Sequence, residues 1–214
     1  MWHELFLESL RHAPLIAILR GVVPAEVLEQ GQVIVDSGIR VIEVPLNSPE
    51  PFDSIARLRQ QFSSDCIVGA GTVTSLAEVR EVAKAGGQLI VSPHCDPEII
   101  RAARDSGLIC VPGVATPTEA FVALRAGASA LKLFPAELIG VSALAAFRQV
   151  VPPATLMFPV GGITPESMLA YAQAGANGFG LGSALYRPGQ AVGETAAKAA
   201  RFVKTWRSLA ASLH

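Results

Sequence analysis

The 214-residue chain is 50% hydrophobic and carries 17 basic against 18 acidic side chains, a formal net charge of −1. A surface this balanced, with a pI near 6.4, offers no electrostatic footing for nucleic acid or an anionic membrane. Cys66, Cys95 and Cys110 have neither the even number of a disulfide framework nor the C-x-x-C spacing of a zinc site, and no apolar run reaches the length of a membrane span, so the expectation is a soluble protein of a reducing cytoplasm.

The chain begins M-W-H-E-L-F-L-E-S-L-R, where Glu4 and Glu8 interrupt the apolar residues. That pattern reads as an amphipathic helix rather than a signal peptide. Beyond it, a small residue plus glycine precedes an apolar run five times, at 37–44, 85–91, 106–111, 126–133 and 174–181. Glycine just past a helix end is the usual left-handed cap, so each phrase marks helix, cap, strand. The opposite junction carries Pro24, Pro49, Pro97, Pro117 and Pro165, with Ser48, Asp96, Thr116 and Thr164 just before four of them. A capping side chain followed by proline starts a helix.

This punctuation predicts eight strands, at 15–20, 40–44, 67–72, 88–91, 108–111, 130–134, 156–160 and 178–181, with starts 20 to 27 residues apart. Near-continuous apolar strands alternating with helices imply a parallel sheet covered by helices. Eight such units fit a compact (β/α)₈ TIM barrel, with one domain over residues 1–214 and an N-terminal helix in front of it. The competing architecture is an open doubly wound sheet. It usually has fewer strands and a G-x-G-x-x-G after the first, which is absent here.

In a barrel, catalytic groups lie at the carboxyl ends of the strands, and alternation assigns faces. The stretch A-L-K-L-F-P (130–135) places one lysine in an apolar run. Lys132 shares a face with Ala130 and Phe134, while Leu131 and Leu133 turn toward the helices. Glu43 shares a face with Val41, Arg20 ends the face of Ile16 and Ile18, and Thr72 ends the face of Val68 and Ala70. Four polar side chains thus fall at the same end of four strands and converge if the sheet closes.

An unpaired ammonium in an apolar wall is costly. Desolvation lowers a lysine from about 10.4 toward roughly 7–8, leaving an amine that attacks a carbonyl and forms an imine, an electron sink for carbanion chemistry. The structural alternative is a snorkelling lysine or an ion pair with Glu43. Glu43 is the best candidate for the proton shuttle, or else a plain salt-bridge partner. Arg20 suits a bidentate grip on a carboxylate or phosphate, or a staple between the mouth and Glu43. Thr72 is weaker evidence, because G-T-V-T-S also supplies helix caps at Thr74 or Ser75.

Glycines in V-G-G-I-T-P-E-S (160–167) and G-L-G-S-A-L-Y (180–186) let backbone amides approach an anion. Loops after strands seven and eight are the usual phosphate site of this barrel class. The expected ligand is a phosphorylated compound with a ketone or aldehyde carbon. A metal-dependent aldolase would need several inward ligands, but of His3, His12, His94 and His214 only His94 is near a strand end, so neither metal nor cofactor is expected. An isomerase or epimerase using Glu43 as base, and a sugar-phosphate binding module, remain as other classes.

Together L-I-A-I-L-R-G, V-I-E-V-P-L-N-S-P, V-G-A-G-T-V, F-P beside Lys132, V-G-G-I-T-P and G-L-G-S resemble the 2-keto-3-deoxy-6-phosphogluconate/galactonate aldolase family, class I pyruvate aldolases. The resemblance runs from strand one to the last helix. It implies retro-aldol cleavage of a phosphorylated keto sugar acid to pyruvate and glyceraldehyde 3-phosphate, and a homotrimer. Lys132 matches the Schiff-base lysine and Glu43 the general acid/base. Arg20 and Thr72 match positions near the pyruvate carboxylate, and Gly161, Gly162, Gly182 and Ser183 match the phosphate loops. Phe134 and Pro135 would wall the pyruvyl methylene. Asn47 and Val160 stand where the gluconate branch has arginine and threonine, so the likeness is to the galactonate branch. The alternative is the gluconate epimer or both.

Overall fold

A computed structural model describes residues 2–212; Met1, Leu213 and His214 lie outside the described residues. Helices and parallel strands alternate from α1 (Trp2–His12) and β1 (Leu15–Ile18) through α2 (Val27–Ser37), β2 (Val41–Pro45), α3 (Pro51–Gln61), β3 (Ile67–Gly71), α4 (Leu76–Lys84), β4 (Leu89–Val91), α5 (Pro97–Asp105) and β5 (Ile109–Val111). There follow β6 (Gly113–Val114), α6 (Pro117–Ala126), β7 (Leu131–Leu133), α7 (Ala136–Val150), β8 (Met157–Pro159), α8 (Met168–Gln173), β9 (Phe179–Leu181) and α9 (Val192–Ser212).

The strands form a curled six-stranded sheet, ordered β5-β4-β3-β2-β1-β9, and a three-stranded sheet, β6-β7-β8. Where the sequence predicts eight strands, the described residues hold nine, because a short extra strand, β6, follows the fifth just past Pro112. Proline has no N–H to give a ladder, and the chain changes sheet there. β5 bonds to β4, whereas β6 bonds to β7, and Lys132 N donates to Pro112 O at 2.9 Å. At the other boundary Val160 bridges Gly180.

Most start and stop signals act as expected. Asp96 accepts from the amides of Glu98 and Ile99. Thr116 with Glu119, and Ser75 with Glu78, form reciprocal capping boxes. Gly38, Gly86, Gly107, Gly127 and Gly175 all adopt positive φ. Two expected caps differ. Ser48 does not cap α3, which starts at Pro51 after Glu50; its Oγ accepts from Gly21 N at 2.9 Å instead and ties the first loop to the second. Thr164 precedes a turn rather than α8 itself, its Oγ1 accepting from Ser167 N while Thr164 N donates to Ser167 Oγ.

Two apolar clusters result. The larger lies between sheets and helices and takes Ala17, Ile42, Val68, Leu131, Leu133 and Leu181 from the strands. The smaller holds Ile16, Val41, Ile67, Leu89, Ile109, Ala130 and Phe158, from strands of both sheets or the residue just before one. These share one interior. Phe6 of α1, fully buried, reaches into it and packs at 54° to Phe158, with ring centroids 6.5 Å apart. Burying one such ring contributes about 1.5–3 kcal/mol. No described helix is long and apolar enough to cross a membrane.

Candidate active site

Lys132 leaves the middle of β7 into the interior and is 6% exposed. Its Nζ lies 4.5 Å from the centre of the Phe134 ring. Burial pushes its pKa below the ordinary lysine value; nearby Glu43 opposes the shift and Arg20 adds to it. None of the ion pairs within 4.0 Å among the described residues involves Lys132 or Glu43. The amine is therefore sheltered but not locked to a partner.

Glu43, on β2, is 2% exposed, and its Oε2 has no hydrogen-bond partner. Burial raises its pKa from 4.5 to about 7, against the pull of Lys132 and Arg20. The carboxylate fits only because β3 ends in glycine: a Cβ added at Gly71 would overlap both carboxylate oxygens. Sequence reading missed Gly71, though its place beside the glutamate's strand was the available signal.

Arg20 projects from the end of β1 as expected, with Nη1 donating to Asn47 Oδ1 at 2.7 Å and Nη2 to Thr72 Oγ1 at 3.3 Å. It does not staple Glu43 by an ion pair. Thr72 reaches Arg20 for a reason different from the one expected. Val68 and Ala70 belong to the cluster facing the helices, so simple alternation would turn Thr72 outward with them. Instead Thr72 has φ +57, a left-handed conformation that a β-branched residue rarely adopts. The break in alternation brings its hydroxyl back to the mouth, and such strain is held only where surrounding structure over-determines it.

A cavity of about 340 Å³ opens at this end, walled by Arg20, Lys132, Phe134, Val160, Gly161 and Gly162, and by Gly182, Ser183 and Arg187 across from them. Glu43 and Thr72 stand behind that wall. Gly161 and Gly162 have φ +106 and +67; a Cβ on Gly162 would lie 2.6 Å from Glu137 Oε2, and one on Gly182 would meet open space. No acceptor in the described chain takes the amides of Gly162, Ile163, Ser183 or Ala184. All four residues line the cavity, and free backbone N–H groups in such loops suit an anion. Arg187 was not anticipated; it sits in Y-R-P-G, beyond the G-L-G-S stretch that drew attention. Among the described residues, no three His, Cys, Asp or Glu side chains group as metal ligands would.

Residues 7–198 match the family described as KDPG and KHG aldolase. The chain belongs to this family. It is 46% identical over 194 residues to the 2-dehydro-3-deoxy-6-phosphogalactonate aldolase of Escherichia coli (strain K12), covering 91% of this chain and 95% of the relative. The solved native KDPGal structure superposes with a TM-score of 0.91 at 45% identity, covering 92% of this chain and 96% of the other. A cube-shaped protein cage, designed by fusing symmetric oligomeric domains, contains a matching stretch with TM-score 0.91 and 44% identity, covering 93% of this chain and 74% of the cage chain. In this member of the family the buried lysine lines the cavity, and the buried glutamate does not.

Proposed function

We propose that this aldolase cleaves 2-dehydro-3-deoxy-6-phosphogalactonate to pyruvate and glyceraldehyde 3-phosphate through an imine on Lys132. The observation that carries the reading is an amine, nearly removed from water and free of any ion pair, on the wall of a cavity also lined by residues whose amides have no acceptor among the described residues. Lys132 attacks the C2 ketone. Glu43 gives a proton to the departing hydroxyl, so that water leaves and the protonated imine forms. It then takes the C4 hydroxyl proton, the C3–C4 bond breaks, and the electron pair moves into the imine to give an enamine. Glyceraldehyde 3-phosphate departs; protonation at C3 and hydrolysis release pyruvate and restore the amine. A carboxyl group with pKa about 7 serves as acid and base in turn at neutral pH.

Arg20 and Thr72 would hold the pyruvyl carboxylate, Phe134 would cover its methylene, and Gly161, Gly162, Gly182 and Ser183 would take the phosphate. The galactonate relative and Val160, 7% exposed at the cavity, support galactonate over the gluconate epimer. Comparing kcat/KM for the two epimers tests that choice, and Val160→Thr should move it by about 1 kcal/mol, the worth of one hydrogen bond. The shared interior of the two sheets supports a single closed (β/α)₈ barrel and one domain over residues 1–214. The cage relative supports an oligomer, read here as a homotrimer, and the absence of a membrane-long helix among the described residues fits a cytoplasmic enzyme. Borohydride added with pyruvate should reduce the imine to a stable amine on Lys132; an unmodified Lys132 peptide from enzyme that is turning over would refute the mechanism.

A further inference from the structure

The cavity wall contains Arg20, Lys132 and Arg187 but no aspartate or glutamate. Two of these cations are already committed. Lys132 is assigned to the imine, and Arg20, positioned by bonds to Asn47 and Thr72, to the carboxylate. Arg187 differs. Its Nε donates to Ser183 O at 3.2 Å, which anchors the guanidinium to the loop that bears the free amides. Its two Nη groups have no acceptor among the described residues, and no carboxylate lies within 4.0 Å. Arg201, in the neighbouring pocket that shares Thr164 and Ala184, is by contrast paired with Glu166.

The loop that carries Arg187 is also fixed in place. Gly21, at φ +79, sits so close to the next residue that an added Cβ would come within 2.6 Å of Pro188 Cγ. The arginine loop after β9 is therefore docked on the loop after β1, and the same two loops line a neighbouring cleft of about 380 Å³. An arginine with one edge tied and one edge open, on a rigid loop beside backbone donors, is arranged for a doubly charged oxyanion.

We infer that Arg187 is the cation of the phosphate subsite, its free Nη edge closing on the terminal phosphate that the amides of Gly162, Ile163, Ser183 and Ala184 cradle. This rests on the phosphate-ester reading above and adds a residue that sets specificity for phosphorylated over unphosphorylated substrates. Backbone amides give a phosphate direction, and the guanidinium supplies the charge that the amides lack.

The test compares the full-length wild type with Arg187→Gln and Arg187→Lys. Arg187 is exposed, so neither change threatens the fold. Calorimetric titration with inorganic phosphate alone should show binding weakened about 10- to 100-fold in Arg187→Gln, with Arg187→Lys in between because lysine keeps the charge and loses the fork. KM for the phosphorylated keto acid should rise by the same factor while kcat stays within about threefold. Deuterium exchange into the pyruvate methyl, which involves no phosphate, should keep its dependence on pyruvate concentration. Unchanged phosphate binding in Arg187→Gln would overturn the inference. So would a raised KM for pyruvate in the exchange reaction, which would put Arg187 on the carboxylate. Absence of exchange in the wild type would count against Lys132 chemistry instead, and the phosphate titration would still decide for or against Arg187.

Discussion

The amino and carboxyl ends of the same strands solve opposite problems. At the amino end the inward positions are Ile16, Val41, Ile67, Leu89, Ile109, Ala130 and Phe158, sealed by Phe6 from α1. Two residues further along, the same faces carry Ile18, Glu43, Gly69, Val91, Val111, Lys132 and Val160. One end is packed like any core; the other buries two ionisable groups and leaves a cavity. The packed and the ionisable inward residues thus lie within one step of the pleat of each other, Ile16 and Val41 two residues before Ile18 and Glu43, and Phe158 in register with Lys132. The comparison to test is whether each set can be disturbed with little effect on the other.

The hardest test of that independence is Lys132→Met, which keeps length and removes the amine. Activity should fall by roughly 10⁴-fold or more, since the imine carries much of an enzyme's usual acceleration of 10⁶-fold and above. Thermal stability should hold or rise, because a buried amine without an ion pair is replaced by an apolar group; a parallel loss of fold would break the comparison. Its mirror is Phe6→Ala. Deleting this fully buried ring should cost about 3–5 kcal/mol in urea unfolding, while kcat/KM per folded molecule stays near wild type.

Gly71→Ala sharpens the boundary. Its Cβ would push the Glu43 carboxylate aside, and displacements of about 1 Å in a reacting group cost on the order of 10²-fold. The loss should appear in kcat with inorganic phosphate binding intact. The smallest effect is pH dependence. Cleavage needs Glu43 as the carboxylate, so with a pKa of about 7 the rate should rise through neutrality and stand about 30-fold below its plateau at pH 5.5. The linkage to stability has the opposite direction. The folded chain keeps a proton that the unfolded chain releases above about 4.5, so this group's contribution is present at low pH and declines as pH rises to about 7. A profile flat between pH 5.5 and 8 would remove Glu43 from the proposed role.

The apolar end was the more legible in sequence. Its periodicity is plain hydrophobicity, and capping residues such as Asp96 and Thr116 announce their helices with side-chain chemistry. Lys132, Glu43 and Arg20 were also readable, because a charge in an apolar run stands out and the alternation rule holds up to each of them. The rule fails where backbone conformation rather than residue type decides direction. Thr72 turns inward through a positive φ that no pattern of letters reveals, and beyond Pro112, where the predicted fifth strand has already ended, the chain adds a short strand to the other sheet. Gly71 and Arg187 escaped for a shared reason: each matters through a neighbour distant in sequence, Glu43 for one and the free amides after β8 for the other.

The aromatic stopper that Phe6 forms with Phe158 has a kinetic corollary. With the interior filled there, the cavity beside Lys132 opens toward the loops after the strands, and under the proposed cleavage keto acid, aldehyde and water would share that mouth. Release of the aldehyde would then precede entry of the water that frees pyruvate.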